Sequence, residues 1–352
     1  MRPLAEMPKR RYAPCAPIVP KGPIELRETM RICAVVPTYN RKGPLAQCLE
    51  ALLRQTRRLD EILVIDNAST DGTGQMIAEK FPNKVTYVRL AENTGSAGGF
   101  TTGMSLAYRH GHGWIWCMDD DAIPVEDTLQ KLLEADSRSD VPTVAKVCSR
   151  CDPITGQRFA QGDILDFKSR MNVMIEYTDW AGKIVAIDCA PWAGLLVNAE
   201  AAHKVGYART GLFAWCDDYV FTSELRRFGR ILHVDNTIIF HPLACKTFPG
   251  IEKHGSRRMI VDHYWKTYYT FRNMFIWRSF CFGKNRAIAR HATLYLRYLA
   301  GILIYDDFKW YRMRILTKAF IDALTGRLGR RVEPGDFCKR FSIANAPSPP
   351  PQ

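Results

Sequence analysis

Three carboxylates stand side by side at Asp119, Asp120 and Asp121, directly after the apolar run 114–118. Adjacent carboxylates repel one another. A divalent cation offsets that repulsion, and alternate side chains can converge on it. The plainer alternative is a solvated acidic turn, and the position straight after an apolar strand weighs against it. A second acidic pair, Asp217 and Asp218, precedes a helical pattern. Such a pair could simply cap a helix, or Asp218 could act as a general base if it faces a substrate hydroxyl. His241 follows an extended run. A lone histidine there is usually structural, yet an imidazole can join distant carboxylates around Mn²⁺ or Mg²⁺. The stretch 93–100, Asn-Thr-Gly-Ser-Ala-Gly-Gly-Phe, is a glycine-rich turn leading into a helix. It lets backbone approach a ligand and favours negative charge. It is neither a Walker loop nor the dinucleotide fingerprint.

These residues need elements to hold them. Apolar runs at 32–36, 62–65, 85–90 and 114–118 predict buried strands. Helical spacing at Leu45, Leu49, Leu52 and Leu53, a segment capped by Asp71 around Met76, Ile77 and Phe81, and 96–108 predict the helices between them. Pro124 is expected to start a helix through Leu133. Alternating strands and helices argue for a parallel sheet with right-handed crossovers, with ligands at the carboxyl ends of its strands. Residues 151–190 resist a clear reading, apart from an expected strand at 185–187. Helices are expected at 199–205 and 221–228, with extended segments at 231–234 and 237–240.

The chain has 352 residues, with 47% hydrophobic and 24% charged residues, which permits a packed core and excludes wholesale disorder. Eleven cysteines are too few for a disulfide scaffold. No apolar run is long enough for an ordinary transmembrane helix, and the N-terminal residues do not read as a secretory signal. The expectation is a soluble protein of a reducing compartment. The net charge of +13 lies wholly within residues 253–341, since residues 1–252 carry 30 basic and 30 acidic side chains. A basic C-terminal segment on a neutral body suggests an anionic surface as partner, membrane or nucleic acid.

Taken in order, 35–41 (Val-Val-Pro-Thr-Tyr-Asn-Arg), 64–73 (Val-Ile-Asp-Asn-Ala-Ser-Thr-Asp-Gly-Thr), 93–100 and the acidic triplet resemble the family 2 inverting glycosyltransferases of GT-A fold. The resemblance spans about residues 31–245. The glycine-rich turn with its triplet, and the segment Tyr268-Tyr269-Thr270-Phe271-Arg272-Asn273, are similar to the bacterial galactofuranosyltransferase and rhamnosyltransferase branch. The resemblance implies an α/β GT-A domain over 31–250, after a flexible lead-in at 1–30. A basic, helical, membrane-proximal region over 251–341 and a disordered tail over 342–352 would follow. It implies that Pro37, Tyr39, Arg41, Asp66, Asn93 and Asp120 contact the nucleotide sugar, with Asp66 on the base imide. Asp119, Asp121 and His241 would hold Mn²⁺ or Mg²⁺. Asp218 would be the catalytic base, with Asp217 the second choice. Trp192 would stack on an acceptor sugar, the alternative being a core tryptophan.

The implied activity is transfer of galactofuranose from UDP-galactofuranose to a lipid-linked or cell-envelope glycan, at the inner face of the plasma membrane. A dTDP-rhamnose-dependent rhamnosyltransferase is the rival enzyme. A catalytically idle membrane-surface protein on the same fold is the rival of another class. Basic and aromatic residues at helical spacing over 290–325 suit an anionic lipid interface on packed helices. No nucleic-acid-binding motif is present, so nucleic acid is not an expected partner, and homo-oligomerisation is left open. The lone pair Cys148/Cys151 reads as free thiols rather than a zinc site, and His110, His112, His254 and His263 read as surface histidines.

Overall fold

The computed structural model describes residues 30–135, 139–166, 171–173, 181–242 and 261–333. The expected lead-in up to residue 29, the tail at 342–352 and His254 lie outside the described residues. The first half alternates as the apolar runs predict. It consists of β1 (Ile32–Thr38), α1 (Lys42–Leu53), β2 (Glu61–Asp66), α2 (Thr73–Lys80), β3 (Thr86–Arg89), α3 (Gly95–Arg109) and β4 (Trp114–Cys117). Then come β5 (Ile123–Pro124), α4 (Thr128–Glu134), β6 (Thr143–Cys151), β7 (Arg158–Phe159), β8 (Ile164–Asp166), β9 (Met171–Val173), β10 (Ile184–Ile187), β11 (Leu195–Asn198) and α5 (Ala199–Val205). The chain continues with α6 (Asp217–Leu225), β12 (Arg230–Phe240), α7 (Tyr264–Phe282), α8 (Lys284–Tyr305) and α9 (Lys309–Thr325).

The main sheet runs β10-β12-β6-β11-β4-β1-β2-β3, with β5 added to β12 and β7 to β6. Strands β3, β2, β1 and β4 are parallel, and so are β6 and β12. Strand β11 is inserted antiparallel between β4 and β6. The sheet is therefore mixed, and helices cover both faces. Alternation along β1 explains this: Cys33 and Val35 enter one core with Phe100 and Met104 of α3, while Ile32, Ala34 and Val36 enter another with Leu45 and Leu49 of α1.

Several elements depart from the sequence reading. Pro124 pairs with Ile239 in β5, and the helix starts only at Thr128. Proline lacks an N–H donor, so a short edge strand tolerates it. Residues 231–234 and 237–240 are one strand, β12, with a register irregularity between Val234 and Ile238. Helix α6 begins at Asp217, four residues before the expected start, so the acid pair occupies its first turn. Cys148 and Cys151 are free and buried in β6. A three-residue offset in a strand puts them on opposite faces, so they cannot share a metal.

Helices α7, α8 and α9 build a third core, in which Tyr268, Tyr269, Ile315 and Leu316 pack with Phe213. That phenylalanine belongs to the loop leading into α6. The C-terminal helices are thus bonded to the segment that carries the second acidic pair.

Candidate active site

The strands β1, β2 and β4 end at one edge of the sheet, and their following residues meet there. Gly99 of α3 lies against Pro37, where a Cβ would stand 2.7 Å from the proline ring. Asn67, after β2, accepts hydrogen bonds from the backbone N–H (3.1 Å) and hydroxyl (2.9 Å) of Thr94. Gly95 has φ +74°, and a Cβ there would sit 2.0 Å from the carbonyl oxygen of Phe213. Only glycine allows that approach. The glycine-rich turn therefore packs its backbone between β1 and the loop before α6.

The acidic triplet is compensated by two cationic groups. Arg41 lies 3.0 Å from Asp120 and 2.6 Å from Asp121. His241 Nε2 lies 3.1 Å from Asp121 Oδ1 and 3.5 Å from Asp119 Oδ2. Burial would raise the Asp121 carboxyl, but His241 and Arg41 outweigh it and hold the group well below its usual range. Burial pushes Asp120 up to about 7 against the pull of Arg41 and Thr38. The structure thus brings Asp119, Asp121 and His241 together from opposite halves of the chain. Two carboxylates and an imidazole are residue types that suit Mn²⁺ or Mg²⁺, although as placed the three donor atoms are not all drawn into one cluster, the carboxylates meeting only through His241 Nε2.

Asp120 differs from its neighbours. It is 6% exposed and accepts a 2.7 Å hydrogen bond from the Thr38 hydroxyl. It braces Arg41 and the end of β1 and leaves little surface open. Arg41 itself is committed to the triplet. Asp66 is fully buried: one oxygen accepts from Ser69 N–H (2.8 Å), the other from Tyr87 (2.5 Å) and Arg89 (3.4 Å). A base imide could reach it only if those side chains moved. Asn93 closes its own turn, accepting from Gly95 N–H at 2.9 Å. Tyr39 is open to solvent beside this edge.

Among the described residues the second acidic pair forms no ion pair. Asp217 Oδ2 accepts from the Trp192 indole N–H (2.9 Å) and the Ser96 hydroxyl (3.0 Å), and the residue is 2% exposed. Burial raises its carboxyl to about 6. Asp218 is less buried, and its side chain accepts from Tyr219 N–H at 2.8 Å. Burial and then the Asp217 charge hold it well above the usual range. The Asp119 charge raises both, so the pair and the triplet share one electrostatic field. A half-buried carboxylate with a raised pKa is a stronger base than a solvent-exposed one.

Trp192 is 4% exposed, stacked on Phe100 with centroids 4.4 Å apart and tilted against Phe221 at 5.0 Å. Core rings cover its faces, so it orients Asp217 instead of stacking on a sugar. Ser96 and Trp192 as supports of Asp217 could not be found from local pattern, because their partner lies 121 and 25 residues away.

The group of potential metal ligands that the described residues do draw tightly together is a different one, Cys33, Glu61 and His112, at the amino ends of the strands. There Glu61 accepts from His112 (2.8 Å) and His110 (2.9 Å). His112 is fully buried, not a surface residue as the sequence suggests. The C-terminal helices expose Leu296, Leu303, Ile304, Phe308 and Trp310. Among the described residues no helix is long and apolar enough to cross a membrane.

The family model Glycosyl transferase family 2 matches residues 33–191. The galactofuranosyltransferase GlfT1 of Mycolicibacterium smegmatis is 28% identical over 254 residues, which are 70% of this chain and 83% of that protein. GlfT1 of Mycobacterium tuberculosis H37Rv is 28% identical over 255 residues, 70% of this chain and 81% of that protein. The crystal structure of S. aureus TarS 1-349 in complex with UDP has a TM-score of 0.51 at 15% identity, covering 85% of this chain and 82% of that one. That likeness is one of fold.

Proposed function

We propose that this chain, whose residues 33–191 match the family 2 glycosyltransferase model, is an enzyme of that family that moves galactofuranose from UDP-galactofuranose to a lipid-linked glycan, with inversion. The observation that carries this reading is the meeting of Asp119 and Asp121 at the single nitrogen of His241, within electrostatic reach of the Asp217–Asp218 pair, which forms no ion pair among the described residues. A divalent cation held by these three residues would neutralise the diphosphate leaving group. Asp218 accepts the proton of the acceptor hydroxyl as its oxygen attacks the anomeric carbon. The new carbon–oxygen bond forms as the bond to the diphosphate breaks, and the electron pair leaves with the nucleoside diphosphate. Asp217, held by Trp192 and Ser96, keeps Asp218 basic through its charge. Displacement from the opposite face inverts the anomeric centre, and no covalent intermediate is needed.

The acceptor's lipid character is supported by the C-terminal helices. Ile302, Tyr311, Ile315 and Leu316 are spent on the core, whereas Leu303, Ile304 and Trp310 stay exposed near Arg297 and Lys309. Aromatic and aliphatic side chains rimmed by cations suit an anionic lipid interface. The test is a turnover screen of the purified chain against several nucleotide sugars with Mn²⁺, with and without a polyprenyl-diphosphate glycan. Preference for UDP-galactofuranose is expected, and preference for dTDP-rhamnose would overturn the donor.

A further inference from the structure

The loop before α6 is strained. Phe213 has φ +68° and ψ −63°, closed by a 2.8 Å bond from Ala214 N–H to the Leu212 carbonyl, a γ-turn of the rare sense. Trp215 and Cys216 follow at φ +59° and +61°. Side-chain-bearing residues adopt this region only when their surroundings over-determine it. The next two residues are Asp217 and Asp218.

What surrounds the loop is a pair of side chains on α7, both fully buried. The Asn273 amide nitrogen donates to the carbonyls of Leu212 (3.0 Å), Ala214 (2.8 Å) and Trp215 (2.7 Å). Arg272 donates to Leu212 (2.8 Å) and to the Gly329 carbonyl (2.9 Å), and through Nε to Asn273 Oδ1 (2.9 Å). Its guanidinium lies over the rings of Tyr268 and Tyr269 at 5.3 and 5.1 Å. A buried cation directed at backbone carbonyls instead of a carboxylate is an expensive way to pack a helix. It makes sense where carbonyls are forced inward and would otherwise be buried without donors.

We propose that Arg272 and Asn273 are positioning residues for the acid pair: they hold the strained loop whose last turn aims Asp217 and Asp218, an inference that rests on Asp218 as the base. The C-terminal helices are then part of the catalytic apparatus. On the far side the same Phe213 carbonyl accepts from Ala97 N–H at 3.1 Å, so the loop is gripped between the glycine-rich turn and α7.

The test uses the full chain with Asn273→Leu, with Arg272→Lys as a milder second variant that keeps the charge, and two readouts. Hydrogen exchange of peptides covering the loop is expected to rise by at least about tenfold, with the amides of β1 and β4 unchanged. Turnover of UDP-galactofuranose is expected to fall about 100-fold with the donor KM within about threefold. Adding Cys216→Gly, which accepts the positive φ without strain, is expected to recover a large part of both losses. Unchanged loop exchange, acceleration spread equally over the sheet, or a donor KM that rises as turnover falls would overturn the proposal. If the unmodified chain transfers no sugar at all, the proposed function fails, while the exchange readout still decides whether the pair holds the loop.

Discussion

Asp119, Asp120 and Asp121 face Arg41 and His241, whereas among the described residues Asp217 and Asp218 have neutral donors, an indole, a hydroxyl and a backbone N–H. The first cluster forms a loop at a strand end. The second opens a helix and is buried beneath Trp192. Within the first cluster His241 and Arg41 depress Asp121, while burial still raises Asp119 and Asp120; in the second, burial raises both Asp217 and Asp218. The contrast teaches that two neighbouring acidic motifs can be prepared for different tasks by what surrounds them. On the proposed reading one would hold a cation and the other would take a proton.

The sharpest way to break this comparison is to neutralise the base. Asp218→Asn is expected to lower turnover by about 10²–10⁴-fold while nucleotide binding persists, measured by transfer kinetics and calorimetry side by side. Equal turnover in the variant would remove the division of labour. Next in size is Trp192→Phe, which keeps the stacked ring and deletes the N–H to Asp217. Turnover should fall about tenfold, and chemical denaturation should show a loss of about 1–3 kcal/mol, because a buried carboxylate loses a donor.

The pH response separates the clusters more gently. The Asp217 carboxyl is raised from 3.8 to about 6, so the folded chain holds that proton more tightly than the unfolded chain. Its contribution to stability is complete below pH 3.8 and is lost as pH rises through about 6. Melting curves should show the unmodified chain losing ground to Asp217→Asn across that window. Transfer should run the opposite way and rise with pH, because Asp218 works deprotonated. A flat difference between the two melting profiles would contradict the assignment. The smallest effect on the fold is expected at Trp310, which is 84% exposed. Trp310→Ala should change stability by no more than about 0.5 kcal/mol yet reduce flotation with anionic vesicles. Equal recovery with neutral and anionic lipid would remove the electrostatic membrane reading.

The catalytic edge was legible because it is local. Buried parallel strands write themselves as apolar runs, and the acids that stop them at Asp66 and Asp119 mark the edge where the following residues meet. Strands β6 and β11 were harder to see. Strand β6 includes Lys146 and Arg150 among its nine residues and finds its partners far along the chain. The start of α6 was hidden because a strained loop, not a capping side chain, sets it. For the same reason the Arg-Asn pair of α7 was visible as a segment but not as a support: its partners are carbonyls about 60 residues away, which no side-chain pattern records.

The central claim is that Asp119, Asp121 and His241 grip one cation, and counting bound Mn²⁺ by electron paramagnetic resonance with UDP present tests it most directly. The account predicts about one ion per chain, lost in both Asp121→Ala and His241→Ala together with the metal-dependent part of UDP affinity. Undiminished Mn²⁺ occupancy and UDP affinity in those two variants would contradict it.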